Sequence, residues 1–279
     1  MASIYKALGT QDIVSTKTLL HEAIPITGSI ISGSYADLNI KDFSHGMFQS
    51  IYDYPFLSSS ANHIFDITFG YSSESTMSSS VTSQQAKKNN VYNQMAQVLM
   101  GYDKDGNIQR FDEDGDLTGG TKLDDCIFLT FSRLLVKDEL KKETFSLELA
   151  LSASHTGSTI RDKTAIITDY GALTNYRVNS PVGEYGILYI SNSVGGVNSS
   201  GNAFAGGAAL ASGEGATDNK CGLIFYQAGV VVLTSSVFMG GAGGLLSASC
   251  DYAVGGLTFD EAFKTTEISS SANEFRRRI

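Results

Sequence analysis

Residues 103–116, DKDGNIQRFDEDGD, hold the densest set of side chains able to do chemistry in this sequence. Asp103, Asp105, Asp112, Asp114 and Asp116 offer the hard oxygen ligands that a cation such as calcium takes several at a time from a flexible loop. DKDGN from Asp103 and DEDGD from Asp112 each place oxygen side chains at the first, third and fifth positions of an EF-hand loop. Both then depart from that pattern. Ile108 and Leu117 stand at the sixth position, where glycine makes the sharp turn, and Asp114 and Leu123 stand at the twelfth in place of glutamate. Asp-Gly is also a favoured turn pair in its own right, so turns and a bound cation both stay open and no residue is assigned as a metal ligand.

Other candidate chemistry is thinner. His21, His45, His63 and His155 show neither H-E-x-x-H nor H-x-H spacing and read as structural or surface histidines. Cys126, Cys221 and Cys250 are an odd number at wide spacing with no C-x-x-C pair, which predicts reduced core thiols. The many serines come without a G-x-S-x-G elbow, and the glycine runs, GGAGG at 240–244 among them, match no phosphate-cradling motif. Glycoside hydrolysis would need two carboxylates across a cleft, and nothing in the sequence brings Glu184, Glu214 or Asp218 together. The expectation is a non-enzymatic protein with no cofactor.

The elements that must position these groups are mainly strands. Phe65, Ile67, Phe69 and Tyr71 alternate with Ile64, Asp66, Thr68 and Gly70, the period of a half-buried strand. CIFLTFSRLLV and TFSLELALS read as two strands paired across the charged turn KDELKKE. GEYGILYIS and CGLIFYQAGVVVLTSSVF supply further strands among Gly-rich loops, and their likeness is too short to be a repeat. One helix is expected from Ser83 to Gly101, burying Val91, Met95, Val98 and Leu99 and turning Lys87, Lys88, Asn90, Asn93 and Gln97 to solvent. Ser72 to Ser83 has too little apolar content to order itself and reads as a mobile loop. Residues 10–25 fit a short helix or a strand ended by Pro25, and ITGSIISGSY after it reads as edge structure or an arm. The fold class expected is mainly β with one or more amphipathic helices (α+β), with antiparallel sheets or a sandwich and long Gly-rich loops. Two regions, 1–160 and 161–279, are expected, with a single domain as the alternative.

The net charge of −9 argues against nucleic acid as a partner, because neutralising phosphates takes clustered Lys and Arg. The one basic run, Arg276 to Arg278, reads as a solvated end. No window offers the roughly 20 apolar residues of a membrane helix, and the N-terminus lacks the apolar core of a signal peptide, so no membrane partner is expected and synthesis in cytoplasm is. The polar ending TTEISSSANEFRRRI reads as leading into further structure, so the chain is open to being a piece of a longer polypeptide.

TKTLLHEAIPITG, HGMFQSIYDYPFLSSSANHIFDITFGYS, YNQMAQVLMGYD and SRLLVKDELKKETFSLEL together resemble virion structural proteins of contractile-tailed phages that infect cyanobacteria. The resemblance runs from about residue 3 to residue 238 and carries over no catalytic residue. It implies a non-enzymatic structural component of the virion, in its tail or baseplate. Such a component is assembled in host cytoplasm and acts through interfaces with other virion proteins and with copies of itself. Tyr52, Tyr54, Phe56 and Tyr71 are the aromatic candidates for such an interface, against the alternative that they are core. A receptor- or carbohydrate-binding module of the tail is the second expectation, with tyrosines and Gly and Ser loops to stack on sugars.

Overall fold

In a computed structural model, the described residues are 39–78, 83–150, 164–192 and 220–235, together with Ile268, Ala272 and Phe275. They form ten strands and two helices: β1 (Ile40–Asp42), β2 (Gln49–Tyr52), β3 (His63–Tyr71), α1 (Ser83–Leu99), β4 (Asp125–Phe131), α2 (Arg133–Val136), β5 (Ser146–Ala150), β6 (Thr164–Thr168), β7 (Tyr176–Ser180), β8 (Gly183–Asn192), β9 (Lys220–Phe225) and β10 (Val230–Thr234). All ten strands belong to one antiparallel sheet in the order β1-β2-β3-β4-β10-β9-β8-β6-β5, with β7 also on β8. The chain is therefore mainly β in an α+β arrangement. Strands from either side of residue 160 interleave in this sheet: β4 pairs with β10, and β5 pairs with β6. Among the described residues no helix is long and apolar enough to cross a membrane.

The register explains how β6 and β7 share a neighbour. Tyr185 and Gly186 of β8 pair with β9 and with β7, while Tyr189 pairs with β9 and with β6. Since a strand has only two sides, β6 and β7 lie end to end along the side of β8 away from β9.

Central strands are closed to water on both faces. Only His63 and Asp66 of β3 are less than buried, and all five residues of β10 are buried, so the half-buried strand expected at 63–71 is instead covered twice. On one face α1 comes so close that a Cβ on Gly70 would lie 2.7 Å from the Lys88 carbonyl oxygen and from the Tyr92 nitrogen. Glycine there lets helix backbone rest on strand backbone. The same face carries a run of rings across the sheet: Tyr92 to Phe111 (5.5 Å), Phe111 to Phe128 (5.8 Å), Phe111 to Phe225 (6.3 Å) and Phe225 stacked on Tyr185 (4.9 Å). Opposite it, Ile67, Leu129, Val231 and Ile224 are equally buried. Ile268, Ala272 and Phe275 are helical, stand at i, i+4 and i+7, and join the same apolar cluster.

Helix α1 has the expected bounds and ends at Gly101 with φ +78°, whose N–H meets the Ala96 carbonyl. Its buried face differs from the expected one. Val91 and Leu99 are buried and Met95 half-buried, but Val98 is exposed, and Gln85, Lys88, Tyr92 and Ala96 face inward. Gly70 fixes this rotation by letting the Lys88 and Tyr92 side of the helix sit down on the sheet.

Two further expectations are corrected. CIFLTFSRLLV and TFSLELALS do not pair with each other, because RLLV turns into α2 and the segment after it carries the chain to the far edge, where β5 meets β6. Residues 72–78 are not a free loop: Ser72 Oγ donates to Asp124 Oδ1 (2.6 Å), Ser75 Oγ donates to Asp125 Oδ1, and Met77 is buried. Neighbouring acids at the start of β4 hold the serines. The expected elements at 10–35, the Gly-rich loops at 193–219 and 240–244, and the terminal arginines lie outside the described residues.

Candidate functional site

The acidic segment forms two separate loops between α1 and β4. In the first, Asp103 Oδ1 accepts N–H groups from Asp105 (2.9 Å) and Asn107 (2.8 Å), and a bridge between Tyr102 and Ile108 closes the turn. These N–H bonds, Asn107 first, hold the exposed Asp103 carboxyl below its usual range. In the second loop, closed by a bridge between Asp112 and Lys122, the carboxylate oxygens of Asp112, Asp114 and Asp116 come within 4.8 Å of one another. A cation of calcium's size could in principle be gripped by such a set.

Two lysines outside the loop and its own N–H groups answer part of that charge. Asp112 is fully buried; its Oδ1 accepts from Lys122 Nζ (2.8 Å) and its Oδ2 from the Leu117 N–H (2.7 Å). Lys220 Nζ stands 4.0 Å from Asp114 Oδ2. Asp114 Oδ1 takes the Asp116 N–H, and Asp116 Oδ1 the Thr118 N–H. Burial pushes the Asp112 carboxyl up against the pull of Lys122. Burial also acts on Asp114, but the Asp116 N–H and a hydrogen bond shared with Asp112 outweigh it and hold that carboxyl low. The loop is bolted to the sheet: Asn179 Nδ2 (2.9 Å) and the Tyr185 hydroxyl (3.1 Å) donate to the Gly115 carbonyl, and Arg177 Nε (3.2 Å) to that of Asp114. Chemically this is an acidic turn, met by Lys122 and Lys220 from outside it, that anchors the 112–120 loop to β7 and β8.

A second polar cluster, unmarked in the sequence, lies where β9 turns towards β10. Buried Asp169 accepts the N–H groups of Glu143 (2.7 Å) and Phe145 (3.1 Å) and the Tyr226 hydroxyl (3.2 Å). Burial raises the Asp169 carboxyl despite these bonds, and burial together with Asp169 raises the Tyr226 hydroxyl. Lys142 pairs with Glu184 (2.6 Å) and lies 3.7 Å from the Tyr176 ring centroid. Glu184, one of the candidate hydrolytic carboxylates, is thus an ion-pair partner, while Glu214 and Asp218 lie outside the described residues. Every donor in this cluster points at a neighbouring segment, so its work is to fasten residues 142–145 to the end of the sheet.

Lys88 is the other polar residue that sequence reasoning missed. It is fully buried with its ammonium 5.2 Å from the Phe69 ring, and burial lowers it to about 7. Within KKNN it reads as a solvated residue, and only the close approach at Gly70 turns it inward.

The four aromatic interface candidates separate. Tyr71 is fully buried at the end of β3, its hydroxyl raised to about 12 by burial and by Asp125, so it is core and not surface. Tyr52 and Phe56 are half-buried and lean on each other (6.3 Å), with Tyr52 also against His63 (5.5 Å). Tyr54 is exposed, as is Leu57 three residues on. His63 is held by Asp66 (2.8 Å), and the His45 ring stacks on Phe43 (5.2 Å). Cys126 and Cys221 are free and fully buried, their thiols pushed well up by burial. No family model, no curated protein and no solved structure matches this chain.

Proposed function

We propose that this chain is a non-enzymatic structural component of a tailed-phage virion, in its tail or baseplate, working through protein interfaces with other virion proteins and with copies of itself. Its source is the resemblance of HGMFQSIYDYPFLSSSANHIFDITFGYS and the related strings to cyanophage virion proteins. The structural observation that supports it is where apolar groups are left in water: Leu57, Leu134, Leu173 and Val178 are each more than 60% exposed, on a body whose buried acids are tied to structural partners. Exposed side chains of this size suit protein contacts.

Exposed tyrosines at 54, 102, 170 and 176 favour a second reading, a carbohydrate- or receptor-binding module, since such rings stack on sugars. A side-chain-resolution electron microscopy map of particles from the infected host separates the two. Density for residues 63–71 against α1 within the tail or baseplate is the expected result. Density at a fibre tip, with glycan binding by the isolated chain, supports the second reading, and absence from particles overturns both.

A further inference from the structure

The strand directions place three segments at one end of the sheet. β2 runs into the loop at 53–62, β3 leaves from it, and β4 runs back to the same end and passes into α2. The loop and α2 are neighbours there, because Ser132 donates its N–H to the Ile64 carbonyl (2.8 Å) and the rings of Phe65 and Phe131 lie 5.9 Å apart. This end carries Leu57, 84% exposed, Leu134, 78% exposed, and Tyr54, 56% exposed.

The loop that presents Leu57 is ordered by its own bonds. Asn62 donates its backbone N–H (2.7 Å) and its Nδ2 (2.8 Å) to the Asp53 carboxylate, and Asp53 donates its N–H to the Asn62 carbonyl (3.1 Å). Inside that clamp Ser58 bonds back to Pro55 (2.8 Å) and Ala61 to Ser58 (3.2 Å). An apolar group held this way loses little conformational freedom when it is covered.

We propose that this end of the sheet is a self-association surface, on which a second copy of the chain docks about a two-fold axis. The proposal deepens the assembly reading and rests on it. A two-fold contact needs a patch that complements itself. Here the exposed apolar groups are flanked by exposed charges of opposite sign, Asp53 beside Tyr54 and Arg133 beside Leu134. Charges of both signs on one patch let it meet its own copy across a two-fold axis. In a chain of net charge −9, a surface carrying both signs is where like copies repel least.

Sedimentation equilibrium of the full chain tests this, with circular dichroism to confirm that each variant keeps its fold. The native chain is expected to dimerise. Leu57→Asp and Leu134→Asp should each weaken the association constant roughly tenfold or more, and Arg133→Asp should weaken it by a smaller factor that shrinks as salt rises. A native chain that stays monomeric, or a dimer that both leucine variants leave intact, overturns the proposal. If either happens while the chain is found in purified particles, the assembly reading survives without this contact. Absence from particles sinks the assembly reading whether or not a dimer forms.

Discussion

Two tight loops, each pinned by an aspartate, have opposite fates in this protein. The loop at 112–120 is rich in charge, yet it turns inward, with Asp112 fully buried against Lys122 and the Gly115 carbonyl held by Asn179 and Tyr185. The loop at 53–62 carries one acid and five apolar or aromatic residues, yet it turns outward and leaves Leu57 in water. Polarity along the chain does not decide which loop docks on the sheet; the partners waiting there do. Arg177, Asn179 and Tyr185 can satisfy the acidic loop, whereas the hairpin loop spends its hydrogen bonds on itself.

Breaking the inward loop should have the largest effect. Asp112→Ala leaves the Lys122 ammonium without its carboxylate and the Leu117 N–H without its acceptor, at a residue whose φ of +65° needs that hold. We expect a loss of about 3 kcal/mol in urea unfolding. A loss below about 1 kcal/mol would mean that the loop's charges contribute little to stability.

Lys88 sharpens the contrast, since burial alone lowers it where the acidic loop has opposing charges. Its folded value of about 7 lies below the roughly 10.4 of an unfolded lysine. Between those values the unfolded chain binds a proton that the folded chain does not, so the Lys88 contribution makes stability rise with pH through that window. Below about 7 both states are charged and the burial penalty is felt in full. Lys88→Met is expected to remove this rise, because no ammonium is left to titrate. Unfolding curves at pH 7, 8.5 and 10 check it, and a slope that the substitution leaves unchanged would show that Lys88 does not carry the rise.

The smallest effect belongs to the outward loop. Leu57→Ser should change the unfolding free energy of the dilute chain by less than about 0.5 kcal/mol, because that side chain is already in water. A loss comparable to that at Asp112 would mean that Leu57 packs in the folded monomer.

What the sequence made legible was local. Alternation at 63–71 marked β3, the spacing from Ser83 to Gly101 marked α1, and the Asp-Gly pairs marked turns, because each depends on near neighbours. Misreadings came where a distant segment decided the outcome. Lys88 is buried because strand β3 has glycine at position 70, and β4 has no hairpin partner after it because β10, a hundred residues on, takes that side. Asp169 and Tyr226 carry no local signal, since they meet across the sheet from segments 57 residues apart. Tyr52, Tyr54, Phe56 and Tyr71 look alike in sequence, and only the position of each along the hairpin separates core from surface.

The pairing of β4 with β10 also sets the order of events as the chain is made. When residue 131 leaves the ribosome, β4 can join β3, but its other side must wait until Thr234 has been synthesised. For that interval Ile127 and Leu129 belong to an open edge of four strands, the kind of surface to which stray strands add. Late closure of so distant a pair predicts slow folding and makes β4 the strand most exposed to mispairing during synthesis.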